Sequence, residues 1–166
     1  MPATYEPIAT VPGNGTSPTI TFSSIPATYT DLRLVIVCTT LSVATVNIQF
    51  NSDTATNYSQ TTMYGTGASA LSFRLSSQAQ IALTAAGNTS TTIPHLYTMD
   101  VLSYAGSTYK TAICTEAMDE NGSGNVSDSV GLWRNTAAIT QIDIKAGGVR
   151  NYLTGSTFTL YGIKKA

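Results

Sequence analysis

The sequence predicts an all-β protein, a single antiparallel β-sandwich with jelly-roll-like topology. Three observations predict it. Apolar and polar residues alternate with a period of two along most of the chain, and no stretch carries a helical period. Charged residues make up 10 % of the chain, well below the usual share of about 25 %, and Thr and Ser take their place. Thr is β-branched and suits the exposed face of a strand. Short alternating runs are separated by clusters of Gly, Asn, Asp, Ser and Thr, the punctuation of a sandwich or barrel. The 166 residues fit one domain, 1–166. A chain this long buries roughly two thirds of its unfolded surface, so it needs no metal or disulfide scaffold.

Residues 1–12 read as an N-terminal arm or edge strand, with a hinge in the Pro- and Gly-bearing stretch 10–18. Thr19 to Ser23 alternates cleanly and stops at Ile25-Pro26. Asp31 to Cys38 reads as a central strand: Leu32, Leu34, Ile36 and Cys38 share one face, and Val35 and Val37 make the other partly apolar. Val46, Ile48 and Phe50 point inward from the next strand, and Asn51-Ser52-Asp53 opens a loop. Residues 54–69 read as irregular, with a turn of helix near Asn57 to Gln60. Leu71, Phe73 and Leu75 form one inward face, and Gln80 to Thr84 is a shorter strand. Gly87 to Thr92 is a loop. Leu96 to Tyr104 and Thr108 to Ala117 make a hairpin about Gly106-Ser107. Asp119 to Asn125 is the most loop-like stretch. Ser129 to Arg134 carries the only Trp, Ile139 to Ala146 turns Ile142 and Ile144 inward, Gly147-Gly148 turns the chain, and Ser156 to Lys164 is the last strand. The total is nine or ten strands, without internal repeat or domain boundary.

Charge excludes several function classes. The net charge is −1, and the eight basic residues are scattered, with only Lys164 and Lys165 adjacent. A nucleic-acid or membrane surface would want a basic stripe or cluster, so neither is expected as a partner. The longest apolar run, Leu34 to Cys38, is far short of the ~18 residues that suggest a membrane span. No basic segment followed by an apolar core opens the chain, so folding in the cytoplasm of the cell that makes it is expected. Cys38 and Cys114 then stay reduced and act as small buried apolar groups. Two Cys and one His do not make a structural zinc site at these spacings.

Three places could hold chemistry. His95 is the only histidine, yet no Gly-x-Ser-x-Gly elbow offers it a nucleophile. Asp100 and Glu116 lie on adjacent predicted strands, and two carboxylates ~5–9 Å apart can cleave a glycoside. The single Trp is a poor supply of sugar platforms, so surface or interface charges are the better reading. Asp119, Asn121, Ser123 and Gly124 follow the first offsets of a Ca²⁺ loop, but Val130 stands where the bidentate Glu belongs. Asn57-Tyr58-Ser59 and Asn88-Thr89-Ser90 match a glycosylation pattern that means little without a secretory signal. No residue is assigned as catalytic, cofactor-binding or metal-ligating, no cofactor is expected, and the chain is read as a non-enzyme.

Several longer segments carry a resemblance. They are Tyr5-Glu6-Pro7-Ile8-Ala9, residues 20–35 from Ile20 to Val35, and the loop with Asn51, Asp53, Asn57, Tyr58 and Ser59. The stretch 133–140 beginning Trp133-Arg134-Asn135 and the ending 155–163 complete the set. Together they resemble a group of short bacteriophage-encoded virion structural proteins; the middle, 61–125, is weakly specified. The resemblance implies a decoration (cement) protein on the capsid surface that bridges subunits of the major capsid protein. The alternative is a tail-fibre or receptor-binding module that recognises host surface glycans. It also implies self-association, often as a trimer. Val35 with Val37 and Tyr161 with Ile163 are the candidate self-association faces, and Tyr29, Asp31 and Tyr161 a candidate strand corner.

Overall fold

The computed structural model describes residues 4–84, 89–148 and 150–164. Twelve strands and no helix lie among them. In chain order they are β1 (Tyr5–Pro12), β2 (Thr19–Phe22), β3 (Asp31–Cys38), β4 (Val46–Phe50), β5 (Tyr58–Gly65) and β6 (Ala70–Gln78). Then come β7 (Ile81–Ala82), β8 (His95–Leu102), β9 (Lys110–Asp119), β10 (Gly124–Trp133), β11 (Ile142–Ala146) and β12 (Thr157–Ile163). They form an eight-stranded sheet, β1-β12-β3-β8-β9-β10-β5-β6, and a four-stranded sheet, β2-β11-β4-β7.

The topology is a jelly roll with two insertions. Without the hairpins β5–β6 and β9–β10, eight strands remain as β1-β12-β3-β8 facing β2-β11-β4-β7. Successive strands then cross between the sheets as they do in a double Greek key. The two hairpins add four strands to one side of the larger sheet.

Period-two alternation builds the core. Leu32, Leu34, Ile36 and Cys38 of β3 are buried, while Arg33, Val35 and Val37 between them are half-exposed. Phe158 and Leu160 of β12 and Tyr97, Met99 and Val101 of β8 extend that face. Ile20, Phe22, Val46, Ile48, Phe50, Ile142 and Ile144 meet it from the smaller sheet. Each such side chain contributes about 1.5–3 kcal/mol on burial.

One stretch differs from the sequence reading, and two others are made specific by the structure. The stretch expected to be irregular, with a helical turn at Asn57 to Gln60, is the strand β5. Its inward residues are Tyr58, Gln60 and Thr62, so its alternation is not one of hydrophobicity. Residues 5–12 are an edge strand bonded to β12, from Tyr5 opposite Ile163 to Pro12 opposite Thr157. The stretch at 119–125 is a tight hairpin turn: Asn121 and Gly122 have φ of 57° and 95°, and the Glu120 N–H donates to the Ser123 carbonyl at 2.7 Å. Positive φ at both central residues is the geometry that Asn-Gly provides in a two-residue hairpin. The loop expected at 87–92 lies in part outside the described residues.

Loops at one end of the sandwich are cross-stitched by side chains. Trp133 Nε1 donates to Asp53 Oδ2 at 2.7 Å, Asn57 Nδ2 donates to the same oxygen at 2.9 Å, and the Ala55 N–H donates to Oδ1 at 2.9 Å. Desolvation pushes the Asp53 carboxyl up, but the hydrogen bonds from Asn57, Trp133 and Ala55 outweigh it, so the carboxyl sits below its ordinary value. Asn51 Nδ2 donates to the Ala138 carbonyl at 2.8 Å, and Asn51 Oδ1 accepts the Thr140 and Gln141 N–H groups. The buried Lys110 ammonium donates to the carbonyls of Gly106 and Thr108 at 2.7 and 2.5 Å. The Tyr29 ring lies against Gly162, where a Cβ would run into it. Asp31 Oδ1 accepts the Ser103 N–H at 2.7 Å. Of the three residues read as a strand corner, Tyr29 thus packs on β12, Asp31 ties to the β8–β9 connection, and Tyr161 stands opposite Arg33 in the ladder.

Candidate functional site

The candidate chemistry of the sequence is taken apart by the pleat of the large sheet. Tyr97 is opposite Glu116, and Asp100 is opposite Ile113. Successive side chains point to opposite faces, so Glu116 is buried inside while Asp100 faces out. They are not a catalytic pair. Asp100 is instead 3.6 Å from Arg33.

His95 is buried beside Glu116, and both are 0 % exposed. The Ser90 N–H donates to His95 Nε2 at 3.2 Å, which puts the ring proton on Nδ1. Nδ1 is 3.2 Å from the Tyr97 hydroxyl and 3.9 Å from Glu116 Oε1. Tyr97 reaches Thr84 Oγ1 at 3.2 Å, and Ser127 Oγ donates to Glu116 Oε2 at 3.1 Å. The serine is therefore bonded to the acid, whereas a serine–histidine mechanism needs it on the imidazole. Burial, and then the Glu116 carboxylate, push the Tyr97 phenol well above its ordinary value. This cluster links β8, β9 and β10 inside the sandwich. Cys38 and Cys114 are free, and burial pushes both thiols up to about 12. In the 119–130 segment, the β9–β10 ladder pairs Val126 with Ala117 and Val130 with Ile113, so the later offsets of a calcium loop run off along a strand. Among the described residues, no three His, Cys, Asp or Glu side chains converge as metal ligands would.

What remains open to a large partner is the outer face of the eight-stranded sheet. The registers set its residues in rows that cross the strands. One row runs Thr157, Val37, Leu96, Ala117 and Val126. The next runs Thr159, Val35, Thr98, Thr115, Asp128 and Met63. A third runs Tyr161, Arg33, Asp100, Ile113 and Val130. Large apolar groups on this face are open to solvent: Met63 is 65 % exposed, Val126 56 %, and Ile113 and Val130 47 % each. One opposite-charge pair meets on it, while Arg74, opposite Thr61 at the β6 edge, has no ion pair among the described residues. Arg33 faces Asp100, and Thr115 Oγ1 donates to Asp128 at 2.8 Å. Val35, Val37, Tyr161 and Ile163, named from the sequence as self-association candidates, lie on this one face.

Sequence reading missed the outward residues of β5 and β10, Met63, Val126 and Val130. Their chain neighbours Thr62, Ser127 and Ser129 turn inward although they are polar, which reverses the usual sense of the alternation. The Asn121-Gly122 turn was the available signal, because it fixes which residues of β9 and β10 face each other. A shallow groove of about 560 Å³ runs beside this turn, between Gly67, Pro94, Asp119 and Asn125. Comparisons with models of known families, with curated proteins and with solved structures give no significant match.

Proposed function

We propose that the chain is a bacteriophage virion structural protein that decorates the head, with the outer face of its eight-stranded sheet lying on the major capsid protein. The observation that carries this reading is the make-up of that face, which is broad and rich in Thr and aliphatic side chains, with few charged groups among them. From strand spacing and rise, it spans on the order of 34 Å by 20 Å, or about 700 Å². That is close to the ~800 Å² per partner of a standard interface. Covering it strips water from few charges, so most of the apolar burial is retained as binding energy. A broad sheet face fits a broad shell surface, and a sandwich body suits the strain of a shell under internal pressure.

The resemblance of the segments at 5–9, 20–35, 51–59, 133–140 and 155–163 to phage structural proteins supports the same reading. The test is cryo-electron microscopy of the virion that carries the protein. The expected result is sandwich density repeated over the head, with the face bearing Val126 and Val130 against capsid subunits. Density restricted to the tail or fibre tips would overturn it in favour of host-surface recognition. In a reconstitution, Val126→Lys with Val130→Lys abolishes head attachment while leaving thermal unfolding unchanged, because both side chains are exposed in the free protein.

A further inference from the structure

We propose that β6 is a pairing edge, through which two copies of the chain join antiparallel about a two-fold axis at Phe73 into one continuous sheet. This inference does not rest on the virion reading.

The two edges of the eight-stranded sheet are built differently. β1 carries Pro7 and Pro12, a register shift between Pro7 and Ala9, and the Glu6–Lys164 ion pair at 2.6 Å. Prolines, bulges and charges are the devices that keep an edge from adding strands. β6 has none of the first two on its straight part. It is nine residues long, contains no proline, and carries one charge, Arg74.

Its backbone is set for pairing. The Thr66 N–H donates to the Ser69 carbonyl at 3.1 Å, closing the β5–β6 turn. Hydrogen-bonded and non-bonded pairs alternate from there along an antiparallel ladder. The N–H and carbonyl groups of Ala70, Ser72 and Arg74 therefore face away from β5. The ladder slips between Leu75, opposite Gln60, and Gln78, opposite Tyr58, where Ser77 has φ of 55°. The straight run is thus 70–76, and Phe73 is its midpoint.

A two-fold axis at Phe73 makes this run self-complementary. Phe73 meets Phe73 of the second copy, Leu71 meets Leu75, and Ser72 exchanges backbone hydrogen bonds with Arg74. Aromatic and aliphatic cross-strand pairs of this kind are favourable, whereas an axis at Arg74 would oppose two guanidinium groups. Leu71 and Leu75 are 48 % and 37 % exposed, on the inner face where the smaller sheet does not reach. Tyr64 already stands edge-on to Phe73 with ring centroids 6.1 Å apart. Pairing extends this into an aromatic row across the junction. An isologous edge closes with two copies, so it gives a dimer and not the trimer implied by the resemblance.

Light scattering and sedimentation equilibrium of the purified full chain test this. The expected mass is twice 17.4 kDa. Arg74→Pro removes an N–H that β5 does not use, and weakens dimerisation at least tenfold. Ser72→Asp sets a carboxylate opposite Arg74 of the second copy and tightens the dimer severalfold at low salt, an effect lost at high salt. Phe73→Lys opposes two ammonium groups and gives monomer. Trp133 fluorescence and thermal unfolding of each variant report that the body is folded. A monomer at all concentrations, a trimer, or a dimer indifferent to Ser72→Asp and Phe73→Lys would overturn the proposal. None of these outcomes bears on head attachment.

Discussion

The two halves of the eight-stranded sheet share one backbone architecture and are held in different ways. In β1-β12-β3-β8, which the smaller sheet covers, the inner face is aliphatic and aromatic, with Leu32, Leu34, Ile36, Phe158 and Leu160 all at 1 % exposure or less. In β9-β10-β5-β6 the inner face is largely small or polar. Thr62 Oγ1 meets Ser129 Oγ at 2.9 Å, and Ser127 binds Glu116. The Gln60 side chain accepts the Ala82 N–H at 2.8 Å, tying β5 to β7 of the other sheet. The covered half is a hydrophobic core in the ordinary sense. The added half is held by its ladders and by paired hydroxyls, because little of the opposite sheet lies above it to bury apolar mass against. Hydrogen bonds there avoid a desolvation loss more than they add a gain.

Truncations should separate the halves most sharply. Ile36→Ala in the covered half is expected to cost about 2–5 kcal/mol, whereas Leu71→Ala on β6 changes the stability of the monomer by less than about 0.5 kcal/mol. Urea unfolding of the two variants measures the contrast; equal losses would mean that β6 is packed as tightly as β3. Lys110→Met should come next, at about 2–3 kcal/mol. It keeps the length of the side chain but leaves the Gly106 and Thr108 carbonyls at the root of the added half without their donor.

A smaller loss than that of Lys110→Met is expected at Asp53, which anchors Trp133 at the end of β10. Asp53→Asn should cost about 1–2 kcal/mol at neutral pH, since a neutral acceptor replaces a charged one. The folded state keeps Asp53 ionised to lower pH than the unfolded chain does. Its contribution is therefore complete above the unfolded value, near pH 4, and disappears as pH falls through the folded value. Unfolding curves between neutral pH and strong acid should show this limb in the native protein and a flatter one in Asp53→Asn.

The same contrast explains what could be read from the sequence. In β3, β4, β11 and β12 apolar residues fall on every second position, so the sandwich and its core followed from the pattern alone. In β5 and β10 the buried residues are Gln60, Thr62, Ser127 and Ser129, and the exposed ones include Met63, Val126 and Val130. Hydropathy points the wrong way there, and only ladder register recovers the faces. Thus Val35, Val37 and Tyr161 were recognised as outward-facing, while the other half of the same face stayed hidden. Asp100 and Glu116 looked like neighbours because adjacent strands carry them. Their sixteen-residue separation places them on opposite faces once Tyr97, not Asp100, stands opposite Glu116. The segments carrying Asn51, Asp53, Asn57, Trp133 and Arg134 are far apart in sequence but meet at one end of the body. That meeting gives a structural reason for residues whose chemistry alone suggested none.

The position of β12 has a consequence for how the molecule is made. β12 lies between β1 and β3, so β1 has no neighbour in the sheet until residues 157–163 have been synthesised. A ribosome adds ~5–20 residues per second, so β1 and the outer side of β3 wait roughly ten seconds unpaired while the chain is completed. Through that interval the nascent protein shows an open aliphatic strand that the finished one conceals. The two prolines in β1 then protect the growing chain as well as the folded one, since a strand that emerges long before its partner is thereby a poor template for its neighbours on the same message.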